Sequence, residues 1–514
     1  TAQPTKTIYT CRTKQTEAGH VLIANLPALQ VVIPLVSAPV CLLMRNPRHA
    51  WACALLVSWL VLAMALLLVQ QVSLTGTISY PIGAWATPWG IEYRVDMAGA
   101  LMILMIASIG AVVMPYAWRS IQHELPTKHA SIFYTCYLLC LTGLLGIVVT
   151  GDTFNLFVFL EISSLSSYVL ISLGGSRRAL TAAFQYLVMG TIGATFILIG
   201  IGLLYMMTGT LNMADLAQRL PEVTDTRTIR VAFAFVTVGV SIKLALFPLH
   251  IWLPNAYTFA PSVVSAFLAA TATKVGVYVL LRLFFTVFGI DFSFDAMHVG
   301  EIIRWLAVAA ILVGSLVAIF QGNVKRMLAY SSVAQIGYVI LGISLASAAG
   351  VSAGMIYMFN HAIIKGALFL AMGCIFLRLG SVEIHNMHGL ARQMPWTMAA
   401  FVYVGLSQIG VPLTAGFISK WYLVSAVLAS GYWPLALLVL VSSLLALIYV
   451  WRVVEAAYFH LPGSDIRRVS EAPLAMLIPT WLLIGVNLYV GIDAGVITGI
   501  AQQGADTLIG PSLQ

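Results

Sequence analysis

Residues 240–255 read VSIKLALFPLHIWLPN. Lys243 sits inside a long apolar segment, and Pro248, His250 and Pro254 follow it. An ammonium group and a helix break thus fall where a hydrocarbon-spanning helix is expected. Pro248 removes a backbone donor, and its ring pushes the helix apart one turn earlier. That frees carbonyls near residue 244, beside the lysine. Irregular backbone at membrane depth survives only where it is buried in protein or lines water. The stretch therefore reads as a hydrated break with a titratable amine next to it. The plainer reading is a proline kink with a snorkelling lysine, but snorkelling needs a helix end and Lys243 lies well inside its segment.

The whole chain has the same solvent. Its 514 residues are 60% hydrophobic and only 9% charged, whereas soluble domains carry about 25% charged residues. The net charge of +8 suggests loops rich in Arg and Lys on one membrane face rather than nucleic-acid binding. Windows of about 20 apolar residues mark a spanning helix. Fourteen are found, at roughly 21–44, 50–70, 95–118, 130–150, 152–174, 180–207, 230–252, 262–288, 302–320, 327–347, 352–379, 398–426, 434–458 and 473–498. The expected fold is an all-α polytopic membrane protein. Residues 1–20 form a polar tail without the pattern of a signal peptide. The six cysteines show no CxxC pair, so neither a disulfide framework nor a zinc site is expected.

Basic residues set the orientation. With the N-terminus outside, thirteen fall in inner loops: Arg45, Arg48, Arg119, Lys128, Arg177, Arg178, Lys325, Arg326, Arg378, Arg392, Arg452, Arg467 and Arg468. The other face holds nine. This bias favours both termini on the outer side, and the expected location is a cell inner or plasma membrane. The remaining four of the 26 basic residues are Lys243, Lys274, Lys365 and Lys420. All four lie within predicted spans and all are lysines. Lysine can lose its proton when desolvated, while arginine effectively cannot.

A charge at mid-bilayer costs roughly 2.5–3.5 kcal/mol even on the lenient insertion scale, so each amine must be paired, wetted or neutral part of the time. Glu161, in GDTFNLFVFLEISSLSSYVL (151–170), is the acidic residue well inside a span, with four serines following. It is the natural partner of Lys243, either as a modulator of proton affinity or as a structural pair joining two helices. His250 follows the break and suits either a proton relay or a cap on freed carbonyls. Lys274, in SAFLAATATKVGVYVL, suits onward transfer or bonding to carbonyls of the broken seventh segment. His361 and Lys365, in MFNHAIIKGALF, are i, i+4 neighbours on one face and read as a proton wire or a polar core cluster. Lys420, in VPLTAGFISKWYL, reads as an exit group or a snorkelling lysine. Pro412 in this stretch matches Pro248, giving one lysine before a break and one after it, as inverted repeats with broken helices do. In chain order, Glu161, Lys243, Lys274, His361, Lys365 and Lys420 describe a proton path running laterally through a bundle. HNMH at 385–388 is not expected to hold a metal. No Walker motif, GxSxG or CxxCH occurs, so neither a cofactor nor an enzyme acting alone is expected.

At these residues the chain resembles the proton-pumping, antiporter-like subunits of respiratory complex I and its relatives, and in particular the D-type subunit of Mrp-type multisubunit cation/proton antiporters. GDTFNLFVFLEISSLSSYVL, SIKLALFPLHIWLPNAYTFAPSVVSAFLAATATKVGVY, VKRMLAYSSVAQIGY, FNHAIIKGALFL and GVPLTAGFISKWYL carry the likeness. The resemblance implies two inverted five-helix repeats, 130–288 and 302–458, after N-terminal helices at 21–129 and before a last helix and tail at 473–514. It implies breaks in the seventh and twelfth helices. It makes Glu161 and Lys243 the family's glutamate–lysine pair, Lys274 the connecting lysine, His361 and Lys365 the central polar positions and Lys420 the terminal lysine. Three functions follow as expectations. One is the proton-translocating subunit of a monovalent cation, chiefly sodium, antiporter with obligate membrane partners. The others are a pump module of a complex I-type or hydrogenase complex, and a scaffold without a proton role.

Overall fold

The computed structural model describes residues 23–461 and 469–510. The predicted polar tail and Arg467 and Arg468 lie outside the described residues. Among the described residues, twelve helices are long and apolar enough to cross a membrane, and two further segments are broken pairs of shorter helices. In chain order they are α1 (Leu26–Leu43), α2 (Pro47–Thr75), α3 (Met97–Glu124), α4 (Ala130–Val149), α5 (Thr153–Ser172), α6 (Arg177–Thr208), α7a (Arg227–Lys243) with α7b (Trp252–Phe259), α8 (Ser262–Leu281), α9 (Val299–Ile319), α10 (Val324–Ile343), α11 (Ala348–Leu379), α12a (Pro395–Ile409) with α12b (Ala415–Ala429), α13 (Trp433–Tyr458) and α14 (Leu474–Ile492). These match the fourteen predicted segments. One antiparallel hairpin, β1 (Ile78–Pro81) and β2 (Glu92–Val95), joins α2 to α3.

Some boundaries differ for local reasons. The predicted last segment, 473–498, divides in two. Asp493 leaves helical geometry and its carboxylate accepts the Gly495 N–H at 3.0 Å. A separate helix, α15 (Gly495–Ile509), then packs against α3 and α11. Lys325 and Arg326 are not loop residues. Asn323 caps α10 by accepting the Arg326 N–H, which draws both into the first helical turn.

The order of elements recurs. α5 and α10 each have 20 residues, and α6 and α11 each have 32. Ser176 and Ser347 cap the starts of α6 and α11, and Gly209 and Gly380 close them in the left-handed region, where glycine carries no Cβ penalty. The chain after each long helix then bridges back to the start of the one before it, Asp152 to Asn212 and Asn323 to Glu383. A broken helix follows in both cases. The centre of the bundle is α8, whose spanning window is 94% buried against 39% for α6 and α9. A helix apolar on all sides belongs in such a position.

One fixed charge pair sits at the edge of this core. Asp96, just before α3, takes a bidentate contact from Arg282 at the end of α8, with Nη1 to Oδ2 at 2.6 Å. Burial pushes the Asp96 carboxyl up, but the Arg282 charge, its hydrogen bonds and the Gly99 N–H hold it below the ordinary carboxylate range.

The second break depends on backbone contact without side chains. A Cβ on Gly416 would lie 1.7 Å from the Ser407 carbonyl oxygen. Gly416→Ala therefore forces α12a and α12b apart, and overpacking of this kind costs about 1–3 kcal/mol. The melting temperature of the purified assembly in detergent should fall for Gly416→Ala and stay unchanged for Gly202→Ala, where open space surrounds the glycine. Equal melting temperatures would show that the close approach is dispensable.

Candidate proton-transfer site

α7a ends at Lys243 itself. The chain turns through 244–251 and resumes as α7b at Trp252. The Ile242 carbonyl accepts the Ala245 N–H at 3.2 Å and the Trp252 indole, Nε1 to O at 2.9 Å. The lysine is thus left for other partners. Its Nζ donates to Glu161 Oε1 at 3.2 Å and to Ser164 Oγ at 2.7 Å, both on α5. The negative end of the α7a dipole also favours a cation there. Lys243 is buried, while the Glu161 side chain is 25% exposed. Ser163, Ser166 and Ser167 return their hydroxyls to carbonyls of their own helix.

His250 does not join this group. It lies in the turn between the half-helices, stacked on Phe247 with ring centroids 5.3 Å apart, and its Nδ1 has no partner. Pro248 and Pro412 both face outward.

Lys274 lies in the middle of α8 and is buried. Its Nζ donates to the Ala269 carbonyl of its own helix at 2.5 Å. The predicted alternative, bonding to the broken seventh helix, is not what forms. No hydrogen bond joins Lys243 to Lys274 among the described residues; their helices meet where Gly276 packs on Leu244. His361 and Lys365 lie one turn apart on α11, which packs against α8, the helix of Lys274. Both His361 ring nitrogens are buried without a partner. Lys365 is fully buried and has three: the Leu328 carbonyl at 3.0 Å, Ser331 Oγ at 2.5 Å and Gln408 Oε1 at 3.2 Å.

The second break reverses the first. Lys420, on α12b, caps the freed carbonyl with its own ammonium, Nζ to Ile409 O at 2.6 Å, and also donates to Ser443 Oγ at 2.7 Å. It lies over the Tyr338 ring at 5.6 Å. Gln408 holds Lys365 and Ile409 holds Lys420, so the last turn of α12a connects the two amines. Asn360 pins α11 to α12b through Ala415 O at 3.0 Å and Ser419 Oγ at 2.9 Å.

Several polar residues of this network carry no charge and escape a charge-based reading. Gln408 passes its amide to Tyr449 Oη at 2.7 Å. Tyr357 donates to Gln335 at 2.7 Å, and Tyr338 pairs with Ser442 at 2.6 Å. Amides inside apolar helices are the signal that marks them. The reading also places Lys325 in a loop; it is buried.

A family model described as "NADH:quinone oxidoreductase/Mrp antiporter, TM" matches residues 150–446, more than half the chain. The chain belongs to this family. Among curated relatives, a protein of Desulforudis audaxviator named as the N subunit of an NADH-quinone oxidoreductase is 40% identical, covering 94% of this chain and 98% of that one. A protein of Bacillus subtilis named as the D subunit of a Na(+)/H(+) antiporter is 30% identical over 95% of this chain and 98% of its own. Among solved structures, a chain of the Mrp complex from Dietzia superposes with TM-score 0.88 at 27% identity, covering 96% of this chain and 98% of that one. A chain of the archaeal membrane-bound sulfane sulfur reductase gives 0.86 at 31%, covering 94% and 98%. This is an antiporter-like membrane subunit, and the family's matched stretch contains every titratable group from Glu161 to Lys420.

Within such a subunit Gln408 should tune Lys365. A hydrogen bond to a charged group contributes about 1.5–3 kcal/mol, so Gln408→Leu should slow proton translocation by the assembled complex roughly 10- to 100-fold. Wild-type rates in dye-loaded vesicles would remove Gln408 from the network.

Proposed function

We propose that this chain is the proton-translocating subunit of a multisubunit monovalent cation antiporter, with sodium as the exchanged ion. The contact that carries the reading is Lys243 to Glu161 and Ser164 at the first break. Lys243 alternates between ammonium and amine, and Glu161 sets its proton affinity. Lys274, His361, Lys365 and Lys420 continue the path, with the last turn of α12a joining its final members. His250 stands beside the first break as a peripheral relay. The two runs 130–288 and 302–458 act as inverted repeats, each with one break.

Partners are part of this reading. Phe154, Val158, Leu165 and Val169 form an exposed stripe on α5 that includes Glu161. A carboxylate opening onto lipid is costly, so protein belongs against that face. The Bacillus subtilis relative is named as one subunit of an antiporter, and the Dietzia match is one chain of a complex. The chain sits in a plasma or inner membrane, with its Arg- and Lys-rich ends in the cytoplasm and both termini outside.

A second coupling has support of its own. The 40% identical relative is named as a quinone oxidoreductase subunit, and the sulfane sulfur reductase match is a respiratory complex. There the same lysines move protons but electron flow drives them. In inverted vesicles carrying the assembled complex, a sodium pulse without electron donor should dissipate a preformed pH gradient. A gradient that responds only to an electron donor assigns the redox role instead.

Under either coupling, Lys243→Ala and Lys243→Arg should both abolish translocation while the complex still assembles. Arginine keeps the charge but cannot release its proton. Wild-type transport in the arginine variant would refute a proton-carrying Lys243.

A further inference from the structure

Away from the line of four lysines, the start of α2, the end of α3 and the start of α4 meet at one end of the bundle. Two adjoining hollows of about 230 and 560 Å³ open there, and Arg48, Trp118 and Gln122 line both. Arg119, Trp51 and Ala52 line the larger one. Walls made of helix ends put the hollows at one membrane boundary. Trp51 and Trp118 suit that depth, since such rings gather at headgroup level. Their ring centroids lie 5.3 Å apart, and the Trp51 indole donates to the Met114 carbonyl at 3.1 Å, which fixes this aromatic wall.

Two guanidinium groups stand at this wall without a counter-charge. Arg48 and Arg119 are exposed, and neither has a carboxylate partner among the described residues. No acidic side chain lines either hollow. Glu124, the acid that follows on α3, is taken up by the Ser120 hydroxyl at 2.6 Å and the Ser262 N–H at 2.9 Å. Arg48 also stands in the first turn of α2, where the Asn46 carboxamide accepts its N–H at 3.0 Å. The positive end of the α2 dipole adds to the potential there. Arg45 and Lys128 are exposed beside the same helix ends. The chemistry of the wall calls for an anion.

The surface below the arginines says what carries that anion. Helical spacing places Arg48, Ala52, Leu56, Trp59 and Leu60 on one face of α2. All five are exposed, and the four that follow Arg48 are apolar. An apolar stripe therefore runs from the hollows toward the middle of the bilayer. A free phosphate would use the arginines alone. A phospholipid uses the arginines, the rings and the stripe together. A choline or ethanolamine headgroup would bring its own ammonium beside two guanidiniums, so a lipid of net negative charge fits best.

We propose that Arg48 and Arg119 hold the phosphate of an anionic phospholipid, with its glycerol in the hollows against Trp51 and Trp118 and its acyl chains along Ala52, Leu56, Trp59 and Leu60. The site stands apart from Glu161, Lys243 and the other titratable groups of the proton path, so it holds whichever coupling the complex uses. The competing occupant is an acidic segment of a partner subunit, which would pair with the arginines but would leave the apolar stripe without a role.

The test uses the assembled complex, purified in detergent, stripped of lipid and titrated with phosphatidylglycerol, phosphatidylcholine or inorganic phosphate. Mass spectrometry of the intact assembly counts the bound lipid. A basic group at an anionic surface strengthens binding about fivefold. The double variant Arg48→Gln/Arg119→Gln should therefore bind one phosphatidylglycerol roughly 25-fold more weakly than the unsubstituted complex. Arg230→Gln, an exposed arginine at the start of α7a, should bind it unchanged. Ala52→Trp keeps both charges and fills the larger hollow from an exposed position; it should lose the same lipid, and it decides the matter if the double variant fails to assemble. Phosphatidylglycerol binding that neither variant alters would overturn the site, and so would an intact complex in which a partner subunit already covers the arginines. Phosphatidylcholine bound as tightly at the variant-sensitive site would overturn the anionic preference. Inorganic phosphate that displaces the lipid at equal concentration would make this a free-anion site and overturn the role of the stripe.

Discussion

An ammonium group in a membrane interior must find oxygen, and the architecture is arranged around that need. Removing such a charge from water costs several kcal/mol per ion even after relaxation. Lys243 meets a carboxylate and a hydroxyl. The other intramembrane lysines meet neutral oxygens: a carbonyl for Lys274, a carbonyl, hydroxyl and amide for Lys365, and a carbonyl and hydroxyl for Lys420. Neutral partners stabilise a charge without locking it. Arg282 is the contrast, always charged and held by both oxygens of Asp96. The permanent cation is held by a full counter-charge, and three of the four lysines are not.

The two broken helices supply these oxygens in opposite ways. At the first break an indole and a backbone N–H take the Ile242 carbonyl, and Lys243 turns to Glu161. At the second break the lysine takes the carbonyl itself. The first amine therefore has a charged partner on another helix, and the last has its own break as partner. The cores differ accordingly. Trp252 stacks on Tyr186 with centroids 3.9 Å apart beside the first break, while tyrosines, serines and glutamines surround the second.

Much of this was legible in the sequence because membrane solvent makes charge rare and conspicuous. Hydropathy alone located the fourteen apolar segments, and Pro248 and Pro412 located both breaks. Glu161 and Lys243 could be paired because so few ionisable residues lay inside spans. Three features were less visible. Lys325 sits at a predicted loop edge, where charge is ordinary, and only the Asn323 cap and the packing of α8 bury it. Gln408 and Gln335 carry no charge and so raise no alarm in a hydropathy window. The division between α14 and α15 turns on one residue, Asp493, within a segment whose mean hydropathy stays high. His250 was legible as a polar residue at the break, and the turn stacks it on Phe247.

The short turn that ends α12a shows how such a structure links its sites. Gln408 and Ile409 are consecutive, yet one serves Lys365 and the other Lys420. The chain there has just left helical hydrogen bonding, so its carbonyl is free to serve an ammonium and its position is set by few backbone bonds. Gly416 lets α12b pass directly against Ser407, and Asn360 holds α12b to α11, the helix that carries Lys365. Any shift of this turn must therefore change the oxygen supply of both amines together. A charge arriving on one lysine pulls on the same turn that the other depends on. Coupling between the two amines then requires no large motion, only a break placed between side chains that draw on adjacent residues.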